Sequence, residues 1–173
     1  SVEISDLTDL TAACDAAASA EGIHGGTQTR ICRTSHGTYV AFLGKDDREQ
    51  AVIHLIRIRD GQPERLASLS TSLDGSNSVH VVCDAEQEVY LVAPGNGSAD
   101  GKEVANLLSY HVDRTTGATT EYRATVPFGR GSSFGYGSVL LDAPGRALYA
   151  VYSGGDAPGY FAWFRFDLAE KRW

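Results

Sequence analysis

The chain has 173 residues, a formal net charge of −7, three cysteines and no methionine. That length allows one domain with a sizeable core. The acidic balance, without any basic cluster, excludes nucleic acid as the expected partner, because phosphates demand Lys/Arg patches.

No apolar run approaches the roughly 20 residues of a membrane-spanning helix, so no membrane partner is expected. A first residue other than Met suits a chain processed on export, and a secreted or periplasmic location is expected. Residues 1–26 read as an N-terminal strand followed by a short Ala-rich segment. Val2 and Ile4 alternate with polar neighbours, and residues 11–20 hold enough alanine to predict a turn or two of helix. His24-Gly25-Gly26 then forms a tight loop into the first repeat.

Residues 27–70 make a first unit with predicted strands at 29–34, 38–43, 51–59 and 64–69. Residues 76–126 make a second, interrupted between its second and third strands by a Gly-rich stretch, 94–101, that reads as a surface loop. Residues 133–173 make a third, with an equivalent stretch at 153–159, and its fourth strand breaks off near Trp173. No linker divides the units, so a single domain is expected.

The units are copies of one pattern. Residues 30–37, 80–87 and 138–145 are each a short apolar run and a polar turn, followed by β-formers. The alternating runs beginning at Ile56, Tyr110 and Phe164 recur at even spacing. Strict alternation means a strand with distinct faces. Four antiparallel strands repeated at a period near 50 mark a blade of a β-propeller. The fold class is therefore all-β, with about three blades present. Closed propellers need at least about four blades. The chain therefore reads as an incomplete ring, completed by further polypeptide or by another chain, rather than an open array with bare sheet edges.

Cys14, Cys32 and Cys83 lack CxxC spacing, so no metal site is expected, and no nucleotide or cofactor motif occurs. Aligning the repeats puts Cys32 and Cys83 one step out of register on neighbouring inner strands. They should then face opposite ways, and buried free thiols are expected, with a Cys14–Cys32 pairing as the other option.

Chemistry on a propeller is expected on the inner strands and the segments leading into them. These are residues 24–30, 74–80 and 130–138, all rich in Gly and Ser, and they carry the groups that bond or titrate. Arg30, His80 and Ser138 align at one position with three different polar types. Arg30 would either pair with Asp74 between blades or clamp a substrate carboxylate with its planar fork. His80 would be either a hydrogen-bonded structural residue or a general base, with His24 as the other histidine in reach. Tyr136 would either pack or protonate a leaving oxygen. Gln28, Asn77 and Ser138 complete the candidate substrate-binding set. His54 and His111 lie on third strands and are discounted, while Asp84 and Asp142 are read as turn caps.

The layout resembles BNR-repeat propellers of the sialidase-like type, particularly the BNR-4 kind found in ulvan-type polysaccharide lyases and related rhamnosidase-like enzymes. Asp74-Gly75-Ser76-Asn77-Ser78, followed by an apolar strand, Asp84 and a second strand, is similar to that family's Asp-Asp-His-Asn-Ser segment. Asp74, Asn77 and Ser78 match, and Ser76 stands where the family carries a His. The segment 135–142 also resembles a family inner strand. The resemblance implies a carbohydrate-active propeller acting on an acidic, uronate-containing polysaccharide. Elimination is the leading reaction. In it Arg30 neutralises the carboxylate, His80 or His24 takes the proton and Tyr136 protonates the departing oxygen. Glycoside hydrolysis, and a non-catalytic propeller that binds glycan or protein, are the alternatives.

Overall fold

The computed structural model describes residues 17–18, 30–70, 79–84, 86–99, 102–113, 115–126, 134–142, 144, 146–154 and 160–173. Every element among them is a strand: β1 (Ala17–Ala18), β2 (Ile31–Thr34), β3 (Gly37–Lys45), β4 (Ala51–Arg59), β5 (Gln62–Ser70), β6 (His80–Cys83), β7 (Val89–Ala99), β8 (Lys102–Val112), β9 (Thr119–Val126), β10 (Phe134–Asp142), β11 (Ala147–Gly154) and β12 (Tyr160–Asp167). They form three antiparallel sheets, β1 to β5, β6 to β9 and β10 to β12. These are three blades of a β-propeller, the third with three strands, and they meet through β2, β6 and β10.

Two expectations are corrected here. The Ala-rich segment contributes strand rather than helix over Ala17–Ala18, which pairs with Gly44 and Lys45. β2 covers only residues 37–40 of β3. The far end of that inner edge would otherwise keep unpaired backbone groups, a cost that outweighs the weak helix preference of two alanines. The Gly-rich stretch of the second blade is likewise no loop over its described length. β7 and β8 stay paired to Ala99↔Lys102. Backbone pairing is indifferent to side chains, so a Gly-rich composition does not prevent a ladder.

The hairpin turns repeat as well. Asp46, Asp84, Asp113 and Asp167 each turn a carboxylate back onto backbone N–H groups, as in Gln50 N–H at 2.9 Å, Glu88 N–H at 2.9 Å, Thr116 N–H at 2.7 Å and Glu170 N–H at 3.0 Å. An Asp at a turn start satisfies donors that the ladder has released.

The two large core clusters lie between blades, while a small third one, Phe42 and Ile56 with Val40 and Ile58, belongs to the first sheet alone. From the first sheet Tyr39, Ala41, Leu43 and Leu55 meet Val81, Leu91, Ala93 and Val112 of the second. From the second, Val82, Tyr90 and Val92 meet Leu148, Ala150, Tyr152 and Phe166 of the third. Alternate residues of a strand serve alternate faces. Each blade thus has a forward face, toward the next in sequence, and a backward face. Truncating a core leucine such as Leu55 or Leu91 to alanine would cost roughly 2–5 kcal/mol.

The cysteines follow from the same geometry and overturn the expectation of free thiols. Cys32 and Cys83 form a disulfide, with Cα atoms 5.9 Å apart, linking β2 to β6. Successive blades are rotated copies, so side chains at equivalent positions point the same way round the ring. Two side chains meet across an interface only when they leave opposite faces. The one-step offset that argued against pairing is what allows it.

Closing a loop across a separation of 51 residues is worth about 4 kcal/mol by chain entropy. The double variant Cys32→Ala/Cys83→Ala should therefore melt well below the parent. Thiol labelling in denaturant should find one reactive cysteine before reduction and three after, and three without reduction would sink the assignment.

Candidate binding site on the inner strands

Hydrogen-bond register confirms that three inner positions are equivalent. The Arg30 carbonyl accepts the Ala41 N–H at 3.0 Å, His80 pairs with Val92 and Ser138 pairs with Val151. Arg30 lies two residues before Cys32 and so shares its forward direction, toward the second blade. His80 likewise shares the direction of Val82, toward the third. Ser138 points the same way from the third blade, where it is exposed.

Arg30 is half-buried, and its Nε and both Nη nitrogens are shut off from solvent without a hydrogen-bond partner among the described residues. Burial alone lowers its pKa to about 10. A guanidinium taken from water with no acceptor is costly, and buried polar groups are otherwise nearly always satisfied. It still carries its charge at neutral pH.

His80 is fully buried. Its ring makes an edge-on contact with Tyr152, centroids 6.3 Å apart at 80°, and it hydrogen-bonds the Gly137 backbone. Its pKa falls to about 4, first through burial and further through the Arg30 charge, while the Gly137 bond pulls the other way. The imidazole is neutral at pH 7 and within electrostatic reach of a cation. Among the described residues, no carboxylate shifts the pKa of Arg30 or His80.

Gly137 makes this packing possible. It sits directly across the ladder from Tyr152, whose ring covers it so closely that a Cβ would fall 2.2 Å from Cδ1. Tyr152 is fully buried, which drives its hydroxyl pKa upward. The sequence reading passed over both residues. The available signal was a glycine in a strand opposite an aromatic residue, which marks close approach.

The remaining candidates divide plainly. His24, Gln28, Asn77 and Asp74 lie outside the described residues. Tyr136 belongs to β10, with its side chain also outside them. The structure therefore brings Arg30 and His80 into one neighbourhood, while Ser138 stands on an open face. His54 bonds Ser68 Oγ and the Lys45 carbonyl at 2.9 and 3.3 Å, and His111 pairs with Glu88. Among the described residues no group of three or more His, Cys, Asp or Glu could hold a metal ion, and no helix is long and apolar enough to cross a membrane.

No protein-family model and no curated protein matches the sequence. Among solved structures the chain is similar to a thermostable family-43 glycoside hydrolase, with a TM-score of 0.54 and 10% identity over 79% of this chain. The match spans 49% of that enzyme's chain, about half of its length. At such identity the likeness bears on the fold, and it agrees with a propeller portion.

His80 carries a pH signature. Its pKa drops from 6.5 unfolded to about 4 folded, so between those values the unfolded chain binds the extra proton. Its contribution to stability is full above pH 6.5 and is lost as pH falls toward 4. Melting temperature followed over that range should decline less steeply in His80→Gln than in the parent. Parallel profiles would remove His80 from the titrating set.

Proposed function

We propose that this chain is part of a carbohydrate-active propeller that binds an acidic polysaccharide, with Arg30 holding a sugar carboxylate. The observation that carries this reading is the buried guanidinium with no acceptor among the described residues, next to a neutral imidazole. A carboxylate offers two oxygens in the plane that Arg30 presents, and a charge-assisted pair of hydrogen bonds would satisfy nitrogens otherwise left dry. The Cys32–Cys83 disulfide supports an oxidising compartment, secreted or periplasmic.

Two reactions fit such a site. Glycoside hydrolysis is favoured by the likeness to a glycoside hydrolase and by the shared fold. It needs two carboxyl groups about 5 to 9.5 Å apart. Asp74 is the candidate from this chain, and a second would come from elsewhere in the ring. Elimination is favoured by a different observation, the proximity of Arg30 and His80. Arg30 would neutralise the uronate carboxylate and so stabilise the charge that develops when C5 loses its proton. His80, neutral at working pH, would accept that proton. A bound carboxylate would also offset the Arg30 charge that holds the His80 pKa down, bringing it closer to the range of an efficient base. His24 and Tyr136 remain the proposed partners for proton transfer, with Gln28, Asn77 and Ser138 as substrate contacts.

Binding of uronate-containing and neutral polysaccharides should be compared by calorimetry for the parent and Arg30→Ala. A charged hydrogen-bond partner is worth about 1.5–3 kcal/mol, so the variant should lose roughly ten-fold to hundred-fold in affinity for the acidic glycan only. Arg30→Leu should melt above the parent when no glycan is present, because it removes an uncompensated buried charge. Equal loss on neutral glycans, or no loss at all, would overturn the assignment. New reducing ends without ultraviolet absorbance would identify hydrolysis, and both signals together would identify elimination.

A further inference from the structure

The first blade holds a second polar pair, on the face turned away from Arg30. His54 of β4 lies across the ladder from Phe42, one residue beyond the forward-facing Ala41, and so leaves the backward face. On its other side it lies directly opposite Ser68 of β5. His54 is 1% exposed, whereas Ser68 is open to solvent.

The imidazole is held on three sides. Its Nδ1 lies 2.9 Å from Ser68 Oγ, and its Nε2 lies 3.3 Å from the Lys45 carbonyl. The Phe42 ring packs on it with centroids 5.4 Å apart and planes at 50°. A carbonyl only accepts, so Nε2 carries the proton and donates it. In the neutral ring Nδ1 is then an acceptor, and the Ser68 hydroxyl donates to it. The repeat itself does not ask for this pair. Phe42, Ala93 and Tyr152 are equivalent, and their partners on the next strand are His54, Leu108 and Ala162. A cavity of about 440 Å³ opens over the pair, lined by both residues and by Arg65, Lys45, Leu66 and Ala67 among others. That is the size of a small-molecule site.

We propose that Ser68 and His54 form a nucleophile–base pair that hydrolyses short-chain carboxylic esters, an activity separate from the Arg30 site. An exposed hydroxyl, a buried base in hydrogen-bond contact and a third group that orients the base are what such chemistry needs. The Lys45 carbonyl takes the orienting part that a carboxylate takes in a Ser-His-Asp arrangement. Ser68 Oγ bonds to the acyl carbon while its proton passes to His54 Nδ1. The C–O bond to the alcohol breaks, and the alcohol leaves with that proton. Water then attacks the acyl-serine and gives a proton to Nδ1, which returns it to Ser68 as the carboxylic acid departs. The net change is ester plus water to acid plus alcohol. Arg65 supplies positive charge for the oxyanion that develops, and Leu66 and Ala67 offer the acyl group an apolar wall.

Two readouts on the full chain test the pair: hydrolysis of p-nitrophenyl acetate, and labelling by a fluorophosphonate mapped by peptide mass spectrometry. The parent should release p-nitrophenol faster than buffer alone and carry the phosphonyl group on Ser68. Ser68→Ala should lose both signals. His54→Gln should slow both by roughly 10²- to 10⁴-fold, the usual contribution of a general base. Ser68 is exposed, so Ser68→Ala should keep the parent's circular dichroism, and it decides the matter even where His54→Gln fails to fold. A pair that merely bridges two strands would lower the melting temperature of Ser68→Ala and leave its ester hydrolysis equal to the parent's. That result, or a parent that takes no label on Ser68, would overturn the proposal.

Discussion

The molecule depends on sheet-against-sheet packing between successive blades. A single four-stranded sheet has no interior, and each of these sheets acquires one only when its neighbour covers it. Hydrogen bonds fix the order of strands inside a blade, but the apolar area removed from water lies between blades. The residues that matter most for stability are consequently those that alternate faces correctly, such as Tyr39, Leu55, Leu91 and Ala150, all fully buried at such interfaces.

That constraint also accounts for the disulfide and the candidate site. Cys32 and Cys83 meet because they leave opposite faces of adjacent inner strands. Two residues earlier on the same face as Cys32, the Arg30 side chain is carried toward the second blade. His80 is carried toward the third, where Gly137 leaves room for the ring of Tyr152 beside it. The inner ends of the interfaces therefore hold polar groups at the position where the outer parts hold valine, tyrosine and leucine. Packing forces supply the rigidity, and the polar exceptions are the groups to which we assign a role in binding. A guanidinium held dry before any ligand arrives has already borne its desolvation, the usual form of preorganisation in binding sites.

The propeller reading and the site reading rest on different foundations. Repetition of short motifs, the turn-capping aspartates and the likeness to a glycoside hydrolase all bear on architecture. On the inner strands only Arg30 and His80 bear on chemistry, through their burial and their mutual field. The acidic sugar we propose as ligand rests on those two residues.

Much of the fold was legible because its determinants are local. Alternation from Ile56, Tyr110 and Phe164 marks strands, Asp84 marks a turn and even spacing marks blades, and each of these can be read within a few residues. The equivalence of Arg30, His80 and Ser138 was legible for the same reason. What tertiary structure alone decided were relations between blades. It decided that an out-of-register pair of cysteines would face each other, and that Ala17–Ala18 would complete an edge rather than begin a helix. It also decided that His80 would be neutralised by burial and by a cation fifty residues away in sequence. A sequence specifies which face a side chain leaves, through the two-residue period of a strand. What that side chain meets depends on how one rotated sheet stacks on the next, and only the assembled fold holds that information.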